Sequence, residues 1–331
     1  MTGSDLAAAP AFERDRRAGI DRYRLADPDR SVTARRVAPI STDRFVWLYA
    51  GDESPTLGVL DAEAGTYRPA ASVTPDDPTP WVDPDGGTAY VLDGHTVTAH
   101  EPTAPADART VGRFAPEAAG DPTAGLTRSA DGVQFGAVFA ADSESRLATL
   151  STDGTTSVWH TRERSYDTLR FSPSDASLAL LARDATDGVG GEAWLAREGL
   201  GARPLGRLLP DHHRCLWWGE GGTGLWYVSP GRGVGYLHLE SGQRERVWET
   251  SARDAHATRS GDLLAATVRD GTDYRVAVAR RDGDEGRYVS AAVPVNGWAP
   301  RPQFVCGDRW LAYTATVDGR PRATLLPSEQ L

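Results

Sequence analysis

Ala299-Pro-Arg-Pro-Gln-Phe-Val-Cys-Gly-Asp-Arg-Trp-Leu-Ala-Tyr-Thr-Ala-Thr-Val-Asp-Gly-Arg-Pro-Arg-Ala-Thr-Leu-Leu326 is the stretch whose reading decides the fold. Gln303 to Val305, Trp310 to Thr316 and Arg322 to Leu326 are β-prone runs, and Cys-Gly-Asp and Val-Asp-Gly separate them. The segment therefore reads as strand, tight turn, strand, polar turn, strand. Working outward, the same unit recurs as Thr33 to Asp43 with Phe45 to Ala50, Thr79 to Gly86 with Thr88 to Leu92, and Gly125 to Gly132 with Gln134 to Ala140. It continues as Thr168 to Asp175 with Leu178 to Arg183, His213 to Gly222 with Leu225 to Ser229, His256 to Asp262 with Leu263 to Arg269, and Pro300 to Asp308 with Trp310 to Thr316. These seven units are spaced about 40 to 47 residues apart, the period of four-stranded propeller blades.

Turn chemistry agrees. Asp85-Gly86, Asp131-Gly132, Asp153-Gly154, Asp270-Gly271, Asp282-Gly283 and Asp318-Gly319 supply the positive φ that tight hairpins need. The last unit ends after its third strand, and Asp21 to Leu25 is the natural donor of a fourth, which would remove the exposed edge of an open sheet. The expected fold class is all-β: a seven-bladed β-propeller of four-stranded antiparallel blades, its last blade closed by an N-terminal strand. Residues 20–331 form the single propeller domain, and residues 1–19 an Ala-rich arm, either frayed or a short helix. The Trp-Asp dipeptide of the WD40 class is missing from all units. No unit shows sustained 3.6-residue apolar periodicity, which argues against a helical solenoid.

Composition narrows the function classes. The chain has 331 residues, 40% hydrophobic and 25% charged, and no apolar run approaches the roughly 20 residues of a bilayer span. The N-terminus lacks the basic start and apolar core of a signal peptide, and Cys215 and Cys306 have neither disulfide-framework nor zinc-site spacing. The expectation is a cytoplasmic protein with no membrane partner, monomeric or weakly oligomeric. A net charge of -10 argues against a nucleic-acid surface. Lysine is absent, so Schiff-base chemistry is excluded and anion recognition falls to arginine's planar fork.

Gly219-Glu-Gly-Gly-Thr-Gly224 fits a G-x-G-x-x-G pattern but lies between two strands, so it reads as a hairpin turn. Asp282-Gly-Asp-Glu-Gly286 reads as a solvated turn rather than a calcium loop. More informative are His213, His256 and Arg301, each at the start of an inner strand in this reading, with Arg170 inside another. Inner strands line a propeller's central channel, and residues from separate blades converging on one mouth make a site. The alternative is that these are ordinary solvated or hydrogen-bonded polar residues.

At these residues the sequence resembles the oligogalacturonate lyase family, seven-bladed propellers that cleave short uronate oligosaccharides by β-elimination. His213-Arg-Cys-Leu-Trp-Trp218, continuing to Leu225-Trp-Tyr-Val-Ser229, resembles the family's His-Glu-Phe-Trp segment and the strand after it, with His212 an alternative alignment. Ala255-His256-Ala-Thr resembles the Ser-His segment that opens the next blade, and Ala299-Pro-Arg-Pro302 is similar to the family's His-Pro-His-Pro. The resemblance implies His213 as the base and His256 as one surviving ligand of a divalent metal. The other ligand positions read Asn296, Ala299 and Arg301, so the implied metal site is degenerate and no metal or other cofactor is expected.

The expected activity is a metal-independent lyase, or a related proton-abstracting enzyme, acting on a small carboxylated substrate or oligosaccharide. Arg301 replaces the metal's charge, His213 takes the proton, and Tyr166 acts as the acid. His212, His256, Arg170, Arg36 and Trp298 bind substrate. The alternative is a catalytically inactive propeller serving as a ligand-binding or protein-interaction scaffold.

Overall fold

A strand covered on both faces needs apolar residues at every position, whereas a half-exposed strand alternates. Leu178–Arg183 and Gly224–Ser229 are of the first kind, buried along nearly their whole lengths. Arg244–Trp248, at the rim, alternates between exposed and part-buried positions. Covered middle strands and alternating outer ones are what result when wedge-shaped sheets pack face to face around an axis.

The computed structural model describes residues 12–17, 20–25, 32–33, 42–50, 56–64, 66–72, 79–115, 118, 120–141, 143–185, 190–283, 286–294 and 299–331. They build a seven-bladed propeller of mostly four-stranded antiparallel sheets. Blade 1 holds Val32–Thr33, Phe45–Ala50, Thr56–Asp61 and Thr66–Ser72. Blade 2 holds Trp81–Val82, Ala89–Asp93, Thr96–Glu101 and Ala104–Arg113. In blade 3 the inner edge is split into Asp121–Pro122 and Thr127–Arg128, followed by Gln134–Ala141, Glu144–Ser151 and Thr156–Arg162.

Blade 4 comprises Thr168–Phe171, Leu178–Arg183, Glu192–Arg197 and Gly201–Pro204. Blade 5 comprises Arg214–Trp218, Gly224–Ser229, Gly233–His238 and Arg244–Trp248. Blade 6 runs Ala252–Ala257, Leu263–Asp270 and Asp273–Arg280, with Arg287–Tyr288 and Val293–Pro294 outermost. Blade 7 runs Gln303–Val305, Trp310–Val317 and Arg320–Pro327.

The core is a ring rather than a ball. Apolar side chains gather into clusters that each straddle two neighbouring blades, because successive residues of a strand point to opposite faces. In the second strand of blade 4, Ala179 and Leu181 pack toward blade 3 while Leu180 and Ala182 pack toward blade 5. Trp217, Trp226 and Trp248 of blade 5 meet Leu264, Ala266 and Ala277 of blade 6. Val46, Leu48 and Leu60 of blade 1 meet Val305, Trp310 and Leu325 of blade 7, which joins the two ends of the chain.

Ile20–Leu25 lies antiparallel to Arg320–Pro327, with Tyr23 opposite Leu325 and Arg24 opposite Thr324. The buried Arg22 guanidinium donates to the Val289 carbonyl at 2.9 Å. Phe12–Arg17, where frayed chain or a short helix was expected, is instead a strand antiparallel to Ile20–Leu25. Residues 1–11 lie outside the described residues. Gly219 to Gly224 is a hairpin turn containing one short 3-10 turn, as its place between strands implied. No helix among the described residues is long and apolar enough to cross a membrane.

Candidate functional site

Three irregularities sit side by side on the inner strands of blades 5, 6 and 7. In blade 5 the register slips between Arg214 opposite Val228 and Trp217 opposite Trp226, and Cys215 there has φ of 50°. In blade 6 it slips between Ala252 opposite Val268 and Asp254 opposite Thr267. Ahead of the inner strand of blade 7, Arg301 has φ of 48°, and its N–H donates to the Thr267 hydroxyl at 3.1 Å. An extra residue in a strand twists it and re-aims the side chains around it. Non-glycine residues at positive φ persist only where surrounding structure holds them. The inner strands of blades 4, 5, 6 and 7 are successive neighbours.

These irregularities bring a polar cluster together. Asp184, directly after the second strand of blade 4, accepts the Cys215 N–H at 2.8 Å on Oδ1. Its own N–H donates to both oxygens of Asp167, at 3.1 and 3.3 Å. Beyond Cys215 lies Asp254 of blade 6, close enough that both carboxylates disfavour the thiolate. Arg170 flanks Asp184 and Arg301 flanks Asp254. Arg170 also acts on Cys215 and on His256 of blade 6, and Arg301 acts on Cys215, so two guanidinium groups, two carboxyl groups, a thiol and an imidazole share one cluster.

The electrostatics follow from burial opposed by these neighbours. Asp184 is pushed up to about 6 by burial and by Asp167, against the pull of the Cys215 N–H, Arg214 and Arg170. Asp254 is raised by burial, and the Thr267 hydroxyl, Arg301 and Arg253 offset part of the rise. Burial and the adjacent carboxylates lift the Cys215 thiol well above its ordinary range. His256 is pushed down to about 3 by burial and the Arg170 charge, so it is neutral at physiological pH. Its Nδ1 accepts the Phe304 N–H at 3.2 Å, which leaves the proton on Nε2. Its ring lies between Trp217 and Phe304, with centroids 6.3 and 6.1 Å away.

Of the residues expected from the sequence, the structure brings together Arg170, His256 and Arg301. His256 is not at a strand start; it is the fifth residue of Ala252–Ala257, two along from Asp254. His213 is buried outside this cluster. Its Nδ1 donates to the Pro210 carbonyl at 2.7 Å. Its Nε2 makes no hydrogen bond and lies against Gly191, where a Cβ would come within 3.0 Å of it. A ring fixed at one nitrogen and walled in at the other packs blade 5 onto blade 4 and has no open face for a substrate proton.

Tyr166 is likewise elsewhere, buried edge-on to Trp194 with its hydroxyl 3.2 Å from His160 Nε2. His212 is exposed in the turn before blade 5. Arg36 and Trp298 lie outside the described residues, as does Asn296. Sequence reasoning missed Asp184, Asp167, Cys215 and Asp254. Only Asp254 carried a signal, since residues two apart on a strand share a face and His256 was already singled out.

The donor set does not suit a divalent metal. The Ala299 side chain offers no lone pair, the Arg301 guanidinium is a permanent cation, and His256 presents a proton at Nε2. Arg170 and Arg301 would both repel a dication here. Among the described residues, no three His, Cys, Asp or Glu side chains are grouped to hold one.

Comparison with solved structures places this architecture. An oligogalacturonate lyase in complex with manganese matches with a TM-score of 0.78 at 15% identity, covering 96% of each chain. The chain shares its fold with oligogalacturonate lyase. A second such lyase, from Vibrio parahaemolyticus, matches with a TM-score of 0.77 at 14% identity, again over 96% of each chain. Kuenenia stuttgartiensis hydrazine synthase is more distant, with a TM-score of 0.57 at 13% identity over 85% of this chain and 92% of the other. No protein-family model and no curated protein sequence matches the chain. Likeness to the lyases at this identity is one of fold.

Proposed function

We propose that the protein is a metal-independent lyase, or a related proton-abstracting enzyme, that acts on a small carboxylated, uronate-like substrate at the inner-strand cluster of blades 4 to 7. The observation that carries this reading is the pair of guanidinium groups, Arg170 and Arg301, beside two half-buried carboxyl groups, Asp184 and Asp254. Among the described residues the Arg170 guanidinium forms no hydrogen bond or ion pair, only longer-range attractions to Cys215 and Asp184. Removing a proton next to a carboxylate puts a second negative charge on that group. Arginine holds carboxylate oxygens in a two-pronged grip, and in a buried site it stabilises the developing charge without reorganising. The Nε2–H of His256 adds a neutral donor beside Arg170. The base is a carboxylate of the cluster rather than His213, whose free nitrogen is walled in.

The test is to incubate chelator-treated protein with oligogalacturonates and follow the ultraviolet absorbance of the unsaturated product. Wild type forms product, and Arg301→Ala lowers kcat/KM by about 10²- to 10³-fold, as loss of one charge-stabilising donor does. No product from wild type, with oligogalacturonate binding retained, would replace this reading with that of a binding module. Equal activity in Arg301→Ala would remove arginine from the mechanism.

A further inference from the structure

The cluster contains three carboxyl groups; Asp167 is taken up by the Asp184 N–H, which leaves Asp184 and Asp254 as candidates for the one proton acceptor the proposed reaction needs. We propose that Asp184 is that base and that Asp167 is its positioning residue. The inference rests on the metal-independent proton abstraction proposed above, and geometry separates the two candidates. Asp184 is held from two sides: the Cys215 N–H fixes Oδ1, and its own N–H is clamped by both oxygens of Asp167. Its second oxygen makes no hydrogen bond among the described residues and is not shut away from solvent. Asp254 presents the opposite case, with Oδ1 sealed inside the protein and unbonded.

The groups facing Asp184 are Asp167 and Arg170 from its own blade and Cys215 and Arg214 from blade 5. Asp254 and Arg301 follow beyond Cys215. Arg170 beside the base puts the substrate carboxylate next to the oxygen that accepts the proton. Burial and the Asp167 charge lift Asp184 to about 6, so it is ionised at neutral pH yet more basic than an ordinary aspartate. The bulge at Cys215 then has a role: it turns a backbone N–H out of the ladder and onto the carboxylate.

The step balances without a co-reactant. Asp184 takes the proton from the carbon next to the substrate carboxylate, and the C–H electron pair moves into that carboxylate as an enolate-like dianion held by Arg170 and Arg301. The pair returns to form the carbon–carbon double bond as the bond to the neighbouring oxygen breaks. The leaving oxygen takes a proton from water, and Asp184 returns its own to solvent.

The experiment follows oligogalacturonates by NMR in deuterated buffer, reading elimination and deuterium entry next to the carboxylate, for wild type, Asp184→Asn and Asp167→Asn. The amide oxygen of Asp184→Asn still accepts the Cys215 N–H, so the variant folds, and thermal unfolding checks that it does. We expect Asp184→Asn to lose about 10²- to 10⁴-fold in kcat with little change in KM. Wild-type kcat/KM falls on the acid side near pH 6, and in Asp167→Asn that acid limb moves to lower pH because the neighbouring negative charge is gone. Deuterium entry without elimination, lost in Asp184→Asn, would overturn the lyase reading and uphold the base. Elimination undiminished in Asp184→Asn, or an acid limb unmoved in Asp167→Asn, would overturn the base and leave the lyase. Neither signal from wild type would overturn both.

Discussion

At the scale of single residues, His256 and Asp184 respond to pH in opposite senses. The folded chain keeps His256 neutral down to about pH 3, while the unfolded chain takes up a proton near 6.5. Stability therefore falls as pH drops from 6.5 toward 3, with a slope of up to ~1.4 kcal/mol per pH unit. Asp184, raised from 3.8 to about 6, acts the other way, and its contribution is full below about pH 4 and lost as pH rises through 6. Urea unfolding of His256→Gln at pH 7 and pH 4 is therefore predicted to show a smaller loss of stability than wild type. An equal loss would show that the ring is not held neutral. The two histidines also show how far single residues were legible. His256 and His213 look alike in sequence, each beside a β-prone run. Only the side-chain geometry, Nδ1 on the Phe304 N–H in one and on the Pro210 carbonyl in the other, assigns one to the cluster and the other to packing.

Elements were the most legible scale, because blade periodicity is written in alternating burial and in turn residues. Among the described residues, the inner-strand turns of blades 2 to 7 fell where Asp, Gly, Ser and Pro interrupt the apolar runs. The bulges were not legible. Nothing in Arg214-Cys-Leu-Trp217 or Ala252-Arg-Asp254 announces an extra residue, since the ladder hydrogen bonds that define a bulge belong to the partner strand. That is why Asp184 and Cys215 escaped notice, as their meeting depends on a local twist rather than on composition. Other irregular positions rest on glycine. Gly233 begins the third strand of blade 5 at φ of 114°, and a Cβ there would collide with the Trp248 carbonyl. Gly233→Ala is predicted to destabilise the protein by at least about 2 kcal/mol in urea unfolding, combining a glycine-only conformation with a backbone clash. A change below about 0.5 kcal/mol would mean that the hairpin relaxes freely.

At the scale of the whole molecule, apolar clusters straddle every pair of neighbouring blades, including the first and the last. The structure pairs Ile20–Leu25 with Arg320–Pro327, the third strand of blade 7. The overall architecture was readable because seven similar units of one length leave few other ways to bury their faces. The site was readable only in part, since the channel draws residues from distant parts of the chain and the sequence shows candidates without their orientation. The same architecture carries a manganese complex in one lyase, whereas the cluster here holds two arginines. In the proposed mechanism these arginines supply the charge a metal would otherwise provide. The most direct measurement is kcat/KM for unsaturated product formation from oligogalacturonates by chelator-dialysed protein, with and without added manganese. The same rate is expected in both, and a rate restored only by manganese would show that a metal, not the arginines, supplies the charge.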